Sequence, residues 1–284
     1  DLPGAKGNYA LIDIDPNGKI HIEWFDTSAI LDENSLKHLR NIGDKRESML
    51  CKAGIETIND LAEIQDFDEI SKKIGLPVRL VKKLSLEAKS RLENKIYQIA
   101  LFTLPKDNLV FFDIETDLEC KKIWLIGVLK DGKFIQFYAD NWKEEKKILK
   151  DFLTFLKQSP NLTLVSYSNS NFDKNVIQRA LDRLGLDSKL FSSYQHIDLC
   201  IAFDKSFIFP IKSYILKNLG KYFNYPFRHP ELDGFLVAKK YELHLEENKP
   251  LDYCVFEYNK DDVKILPFLI EQVTKQAEPS PFPL

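Results

Sequence analysis

The chain has 284 residues, with 40 Lys and Arg against 43 Asp and Glu for a net charge of −3, and 44% of its residues are hydrophobic. That length and apolar content support one large and one small domain, each with its own core, and no apolar run reaches membrane-spanning length. Cys51, Cys120, Cys200 and Cys254 form no Cys-x-x-Cys pair, and the five histidines make no metal spacing, which argues against a zinc or iron–sulfur site. With no signal-peptide pattern at the start, a reduced, cytoplasmic setting with no membrane partner is the expectation.

In chain order, Tyr9 to Asp15 and Lys19 to Phe25 predict a β-hairpin turning at Asn17-Gly18, with Asp13 and Asp15 as ordinary hairpin acids. The chain opens at Asp1 without methionine, as a fragment or a processed chain would, and the hairpin segment at 1–30 reads either as the end of a preceding module or as a small docking element. Leu36 to Arg46 predicts a short helix, a hairpin at Ile42-Gly43, and a basic start to the next helix with Lys45 and Arg46. A second hairpin-like stretch, Lys73-Ile-Gly75-Leu-Pro-Val-Arg79, follows. Between Ser71 and Lys95 eight Lys and Arg stand against Glu87 and Glu93, a local excess that suits either a phosphate backbone or a solvated helix face.

Strands are predicted at about 109–113, 123–129 and 133–138, then a helix over about 143–157 and a strand at 163–167. Asp113 and Glu115 close the run Leu109-Val-Phe-Phe-Asp-Ile-Glu-Thr116. Strand side chains alternate, so both acids leave the same face of a strand anchored by Val110 and Phe112. Two such neighbours repel unless a cation or a shared proton lies between them. Crowded hard oxygens suit Mg²⁺ or Mn²⁺; a solvated or salt-bridged pair is the ordinary alternative.

More acids follow. Val165-Ser-Tyr-Ser-Asn-Ser-Asn-Phe-Asp173 runs from a strand through a Ser/Asn loop into a helix, which places Asp173 in the first turn where the dipole favours negative charge. Tyr258 and Asp262 are i and i+4 on a later helix and share a face. Asp261, about 100° round the helix, is expected to meet solvent. His196 and Asp198, on a short strand, read as structural or groove-lining.

Asp113 with Glu115, then Asp173, then Tyr258-x-x-x-Asp262 resembles the DEDD group of RNase H-like 3′–5′ exonucleases, in its tyrosine-bearing form. Glu257 stands where the histidine-bearing form would carry His. Within the group the likeness is to YprB-type domains, carried also by Trp124-Leu-Ile-Gly-Val128, by Ser213 to Leu219 and by Tyr258 to Val263. It covers roughly residues 107–275. Residues 35–95 are similar to a tandem helix-hairpin-helix domain of the non-sequence-specific DNA-binding kind. Its hairpin glycines let amide N–H groups and helix N-termini approach a phosphate. Asn41 departs from the Gly-x-Gly such hairpins often show, which suggests a looser clasp. A small helical bundle used for protein contacts is the alternative.

The resemblance implies an α/β, RNase H-like three-layer fold with a mixed β-sheet, plus a small all-α helix-hairpin-helix domain. The expected organisation is a β-hairpin segment at 1–30, a nucleic-acid-binding domain at 35–95, an exonuclease domain at 107–275 and an extended proline-rich tail at 276–284. It also implies two Mg²⁺ or Mn²⁺ ions, with Asp113 bridging and Glu115, Asp173 and Asp262 completing the shells, while Tyr258 orients the attacking water. Ile42, Gly43, Lys45, Arg46, Gly75 and Arg79 would bind nucleic acid, DNA favoured over RNA. The alternatives are a catalytically inactive nucleic-acid-binding or scaffolding protein and an RNA-directed exonuclease.

Overall fold

The computed structural model describes residues 34–159 and 161–283, together with the backbone of three earlier strands. The chain divides into two compact units: Asp1–Lys95 with Phe209–Lys212 and Ser280–Leu284, and Ile96–Ile208 with Ser213–Pro279.

In the first unit, β1 (Leu2–Pro3), β2 (Asn8–Ile14) and β3 (Ile20–Asp26) form an antiparallel sheet, with Asn8 opposite Asp26 and Ile14 opposite Ile20. The expected turn at Asn17-Gly18, and Asp15, lie outside the described residues. Four helices follow: α1 (Asp44–Lys52), α2 (Ile58–Ala62), α3 (Phe67–Ile74) and α4 (Val78–Glu93). The helix expected from Leu36 is only a 3₁₀ turn, Leu36–His38, ending at an extended Leu39. The reason is burial: Leu36, Leu39 and Ile42 all enter the core that Leu50, Leu61, Val81 and Leu84 complete. Thr57 and Asp60 form a reciprocal capping box on α2, and Gly75, at φ +68°, ends α3. Asn41 is a fastener here: its Nδ2 donates to Glu87 Oε1 on α4, and its carbonyl accepts from Arg46.

The second unit begins with β4 (Tyr97–Gln98) and the meander β5 (Leu109–Thr116), β6 (Ile123–Lys130) and β7 (Lys133–Tyr138). Then come α5 (Glu145–Lys157), β8 (Thr163–Ser166), α6 (Phe172–Leu184), α7 (Ser188–Ser193) and β9 (Gln195–Asp198). The chain continues through α8 (Leu199–Ser206), β10 (Phe207–Ile208), α9 (Leu216–Tyr222), α10 (Gly234–Glu247), α11 (Cys254–Gln276) and β11 (Glu278–Pro279).

The main sheet runs β7-β6-β5-β8-β9, antiparallel within the meander and parallel from β5 to β8 and β9. Alternation along β5 decides which helix covers which face. Phe112 points to α5, where its ring meets Phe152 at 6.3 Å, and Asp113 points to α11, where it meets Asn259. Helices on both faces of a mixed sheet give the expected α/β three-layer fold. The short strands form a second sheet, β10-β4-β11. Within the tail expected as extended from 276, Gln276 still belongs to α11, Glu278–Pro279 is the extended strand β11 paired with β4, and Phe282 meets Phe67 at 5.0 Å within the first unit.

Candidate active site

The chain brings its five predicted site residues into one place. Asp113 and Glu115 from β5, Asp173 from the first turn of α6, and Tyr258 and Asp262 from α11 all line a cavity of about 340 Å³. Val110 and Phe112 are buried beneath the acids, so the strand has no freedom to swing them away. Tyr258 and Asp262, one helical turn apart, face the strand pair from the opposite wall.

The acids raise one another's affinity for protons. Asp113 keeps part of its surface open to the cavity, yet burial, then the charges of Glu115, Asp173 and Asp262, hold its carboxyl well above the usual range. Glu115 is raised in the same way by burial and then by Asp262. Burial pushes Asp262 up to about 7 against the Tyr258 hydroxyl and the Lys217 charge, which favour its ionised form. Burial raises Asp173 to about 6, opposed by its own backbone amide and by Ser166 and Ser168. Tyr258 is raised beyond the ordinary phenol range by burial and then by the charges of Asp262, Glu115 and Asp113. Three carboxylate oxygens of the cavity, Glu115 Oε1, Asp173 Oδ2 and Asp262 Oδ1, are buried with no hydrogen-bond partner. Such atoms are costly unless a cation or a proton answers them. Among the described residues, no group of three or more Asp, Glu, His or Cys side chains is arranged to hold a metal ion as placed. The donor chemistry still fits one: these are hard oxygens of the kind Mg²⁺ and Mn²⁺ take.

Asp173 owes its place to Asp198. The Ser/Asn loop before α6 puts Asn169 and Asn171 at positive φ, 67° and 53°, and its amides converge on one buried carboxylate. Asp198 Oδ1 accepts from the amides of Ser168 and Asn169, each at 3.2 Å, while Oδ2 accepts from the Asn171 amide at 2.9 Å and Ser168 Oγ at 2.8 Å. The same side chain caps α8 through the amides of Cys200 and Ile201. His196 is structural too: burial lowers it to about 4, and its ring stands edge-on to Phe191.

The model for the RNase_H superfamily matches residues 110–274, the span that contains every one of these cavity residues. The chain belongs to the RNase_H superfamily. A second family model, for the TfoX C-terminal domain, matches residues 32–67. No curated protein matches the chain. Among solved structures it is similar to the family B DNA polymerase from the hyperthermophilic archaeon Pyrobaculum calidifontis, at 13% identity and a TM-score of 0.48. That likeness covers 95% of this chain and 44% of the polymerase, so the chain spans less than half its length.

In this RNase_H superfamily chain, Lys217 is a cavity residue that motif spacing did not single out as functional. Its ammonium lies 4.8 Å from the centre of the Tyr258 ring, within cation–π range. It also donates to the carbonyls of His229, Pro230 and Leu232. The segment carrying those carbonyls is tied to α11 by Arg228 and His229. Arg228 bonds Asp261 and Glu257, and His229 Nε2 lies 2.9 Å from Glu257 Oε2. Asp261 is therefore buried, at 4% exposure, and not solvated as its helical angle suggests. Sequence alone could not reveal this, because Arg228 lies more than 30 residues upstream.

The residues predicted to bind nucleic acid in the first unit are divided between core and surface. Ile42 is buried in the helical core; Gly43 caps α1 with an extended backbone, φ −108°. Lys45, Gly75 and Arg79 are exposed, whereas Arg46 turns back onto the Asn41 carbonyl. Asn41, the departure from glycine, is itself bonded to Glu87 on α4 and accepts from Arg46.

Proposed function

We propose that this chain is a metal-dependent 3′–5′ exonuclease of the DEDD type with a tyrosine, related to YprB-type domains, and that it acts on nucleic acid with DNA preferred. One observation carries the reading: four carboxylates from three separated segments line a single cavity with Tyr258, and three of them hold a buried oxygen that has no partner. A scaffold that had lost catalysis has no use for that cost.

Asp113, Glu115, Asp173 and Asp262 would hold the Mg²⁺ or Mn²⁺ ions, whose charge would offset the negative charge that builds on the attacking and leaving oxygens. Tyr258 keeps its proton at working pH, so its hydroxyl serves to orient the attacking water and not to deprotonate it. The Lys217 ammonium against the Tyr258 ring holds that phenol in place and adds positive charge to a wall that faces phosphate. The hairpins of the first unit, with Lys45 and Arg79 exposed, would supply sequence-independent backbone contacts.

The test is hydrolysis of end-labelled single- and double-stranded DNA and RNA, each with Mg²⁺, Mn²⁺ or EDTA. Metal-dependent release of mononucleotides, blocked by a 3′-phosphorothioate cap and abolished by Asp113→Ala, is expected. Activity in EDTA, digestion from the 5′ end, or rapid cutting of closed circles would each defeat the assignment.

A further inference from the structure

Asp113, Gly127 and Gln136 stand in one row across three strands, Asp113 opposite Gly127 on β6 and Gly127 opposite Gln136 on β7. Asn259 of α11, fully buried, lies over the middle of that row. A Cβ on Gly127 would come within 2.1 Å of Asn259 Oδ1, so the strand omits a side chain where the helix inserts its own. The Asn259 amide then bridges the outer pair. Gln136 Nε2 donates to Asn259 Oδ1 at 3.0 Å, and Asn259 Nδ2 donates to Asp113 Oδ2 at 2.8 Å.

The direction of this chain is fixed at its far end. Gln136 Nε2 also donates to the Phe256 carbonyl at 2.9 Å, and a backbone carbonyl can only accept. Gln136 must therefore turn N–H groups toward Asn259, which must answer with oxygen and turn its own N–H groups toward Asp113. Asp113 Oδ2 is left as an obligatory acceptor toward Asn259, which restricts how its carboxylate can turn.

We infer that Gln136 and Asn259, in the space Gly127 leaves, form a positioning relay that orients the Asp113 carboxylate for the cation it would hold. The inference rests on the proposed reading of the acid cluster. Groups that hold a ligand from behind typically change metal affinity or activity by about 10–100-fold when removed.

The test compares the unaltered protein with Asn259→Leu, Gln136→Leu and the double variant. Two readouts are taken: the Mn²⁺ concentration giving half-maximal thermal stabilisation, and kcat and KM for a labelled oligonucleotide. Asn259→Leu should raise the Mn²⁺ midpoint and lower kcat, each by about 10–100-fold, with KM within roughly twofold. Gln136→Leu should shift both the same way by a smaller factor. Because Gln136 acts only through Asn259, the double variant should be no worse than Asn259→Leu. Midpoints and kcat unchanged in Asn259→Leu, or effects that multiply in the double variant, would overturn the relay alone. If Asn259→Leu does not fold, Gln136→Leu on the edge strand decides, and an unchanged midpoint there overturns it. No Mn²⁺ stabilisation of the unaltered protein would overturn the relay together with the reading beneath it.

Discussion

Arg228 grips Asp261 at two levels. Its backbone amide donates to Asp261 Oδ2 at 2.9 Å, and its guanidinium reaches Oδ1 at 2.6 Å and 3.2 Å. One residue further along α11, Asp262 turns a buried oxygen with no hydrogen-bond partner into the cavity. Adjacent aspartates thus do opposite work: one is satisfied and ties down the Lys217 segment, the other is left unsatisfied at the site.

That contrast gives a paired prediction. Asp261→Asn should lower the melting temperature, because it weakens a charged hydrogen-bond set worth on the order of 1–3 kcal/mol. Activity should fall only in part. Asp262→Asn should remove nearly all hydrolysis while leaving the metal-free protein as stable or more so. Thermal melts in EDTA, run beside an exonuclease assay, separate the two. Equal melting losses for both variants would refute the division of labour.

A second prediction concerns pH. Folding raises Asp262 to about 7 and Asp173 to about 6, above the value each carries in the unfolded chain. Below about pH 4 both states keep these protons and the contribution to stability is fully present. Above that, the unfolded chain releases protons that the folded chain retains. Stability should therefore fall as pH rises toward about 7, by about 1.4 kcal/mol per pH unit for each proton involved. The signal is the difference between the unaltered protein and Asp262→Asn, both in EDTA, which cancels groups elsewhere. Mn²⁺ at pH 8 should restore the lost stability. A difference that grows in favour of the unaltered protein as pH rises would contradict the sign.

Much of the site was legible because it is written in short-range periodicity. Asp113 and Glu115 share a face by strand alternation, and Tyr258 and Asp262 by the helical turn, so each pair is set locally. The structure adds how α11 uses its neighbouring angles. Residues 257 and 261 hold the Arg228 segment, and residue 259 enters the gap at Gly127. Those partners lie roughly 30 to 130 residues away in the chain, and no period of 2 or 3.6 carries that information. Asp261 was misplaced on the surface for the same reason. The short first helix failed differently: Leu36, Leu39 and Ile42 satisfy an i, i+3 pattern, yet an extended Leu39 buries all three.

Asp198 offers a third prediction, since it acts on Asp173 from the far side of the Ser/Asn loop. Its two oxygens accept from donors only, including the amides of Ser168, Asn169 and Asn171. In Asp198→Asn, an NH₂ group would face donors, leaving buried amides unpaired at about 1–3 kcal/mol. We expect a lower melting temperature and a kcat loss, partly relieved by higher Mn²⁺ if Asp173 is merely displaced. Unaltered kcat in a destabilised variant would show that the loop does not need this hub to aim Asp173.

The last prediction tests the first unit. Lys45, in the first turn of α1, and Arg79, in the first turn of α4, are exposed, whereas Arg46 is engaged with Asn41, so of these three the first two are the ones to test against a phosphate. Phosphate contacts act without regard to sequence and release counterions, giving a logarithmic salt slope of about −0.9 per contact on duplex DNA. Changing Lys45 and Arg79 to Glu should weaken binding of long DNA at low salt and flatten the slope by roughly 2. The apparent KM on long substrates should rise. Hydrolysis of an oligonucleotide only a few residues long should change little, because Asp113, Asp173 and Asp262 are untouched. The readout is affinity by fluorescence anisotropy at several salt concentrations, set beside the two KM values. Unchanged affinity and slope would mean that the hairpins meet a protein partner, and the preference for DNA over RNA would lose its support.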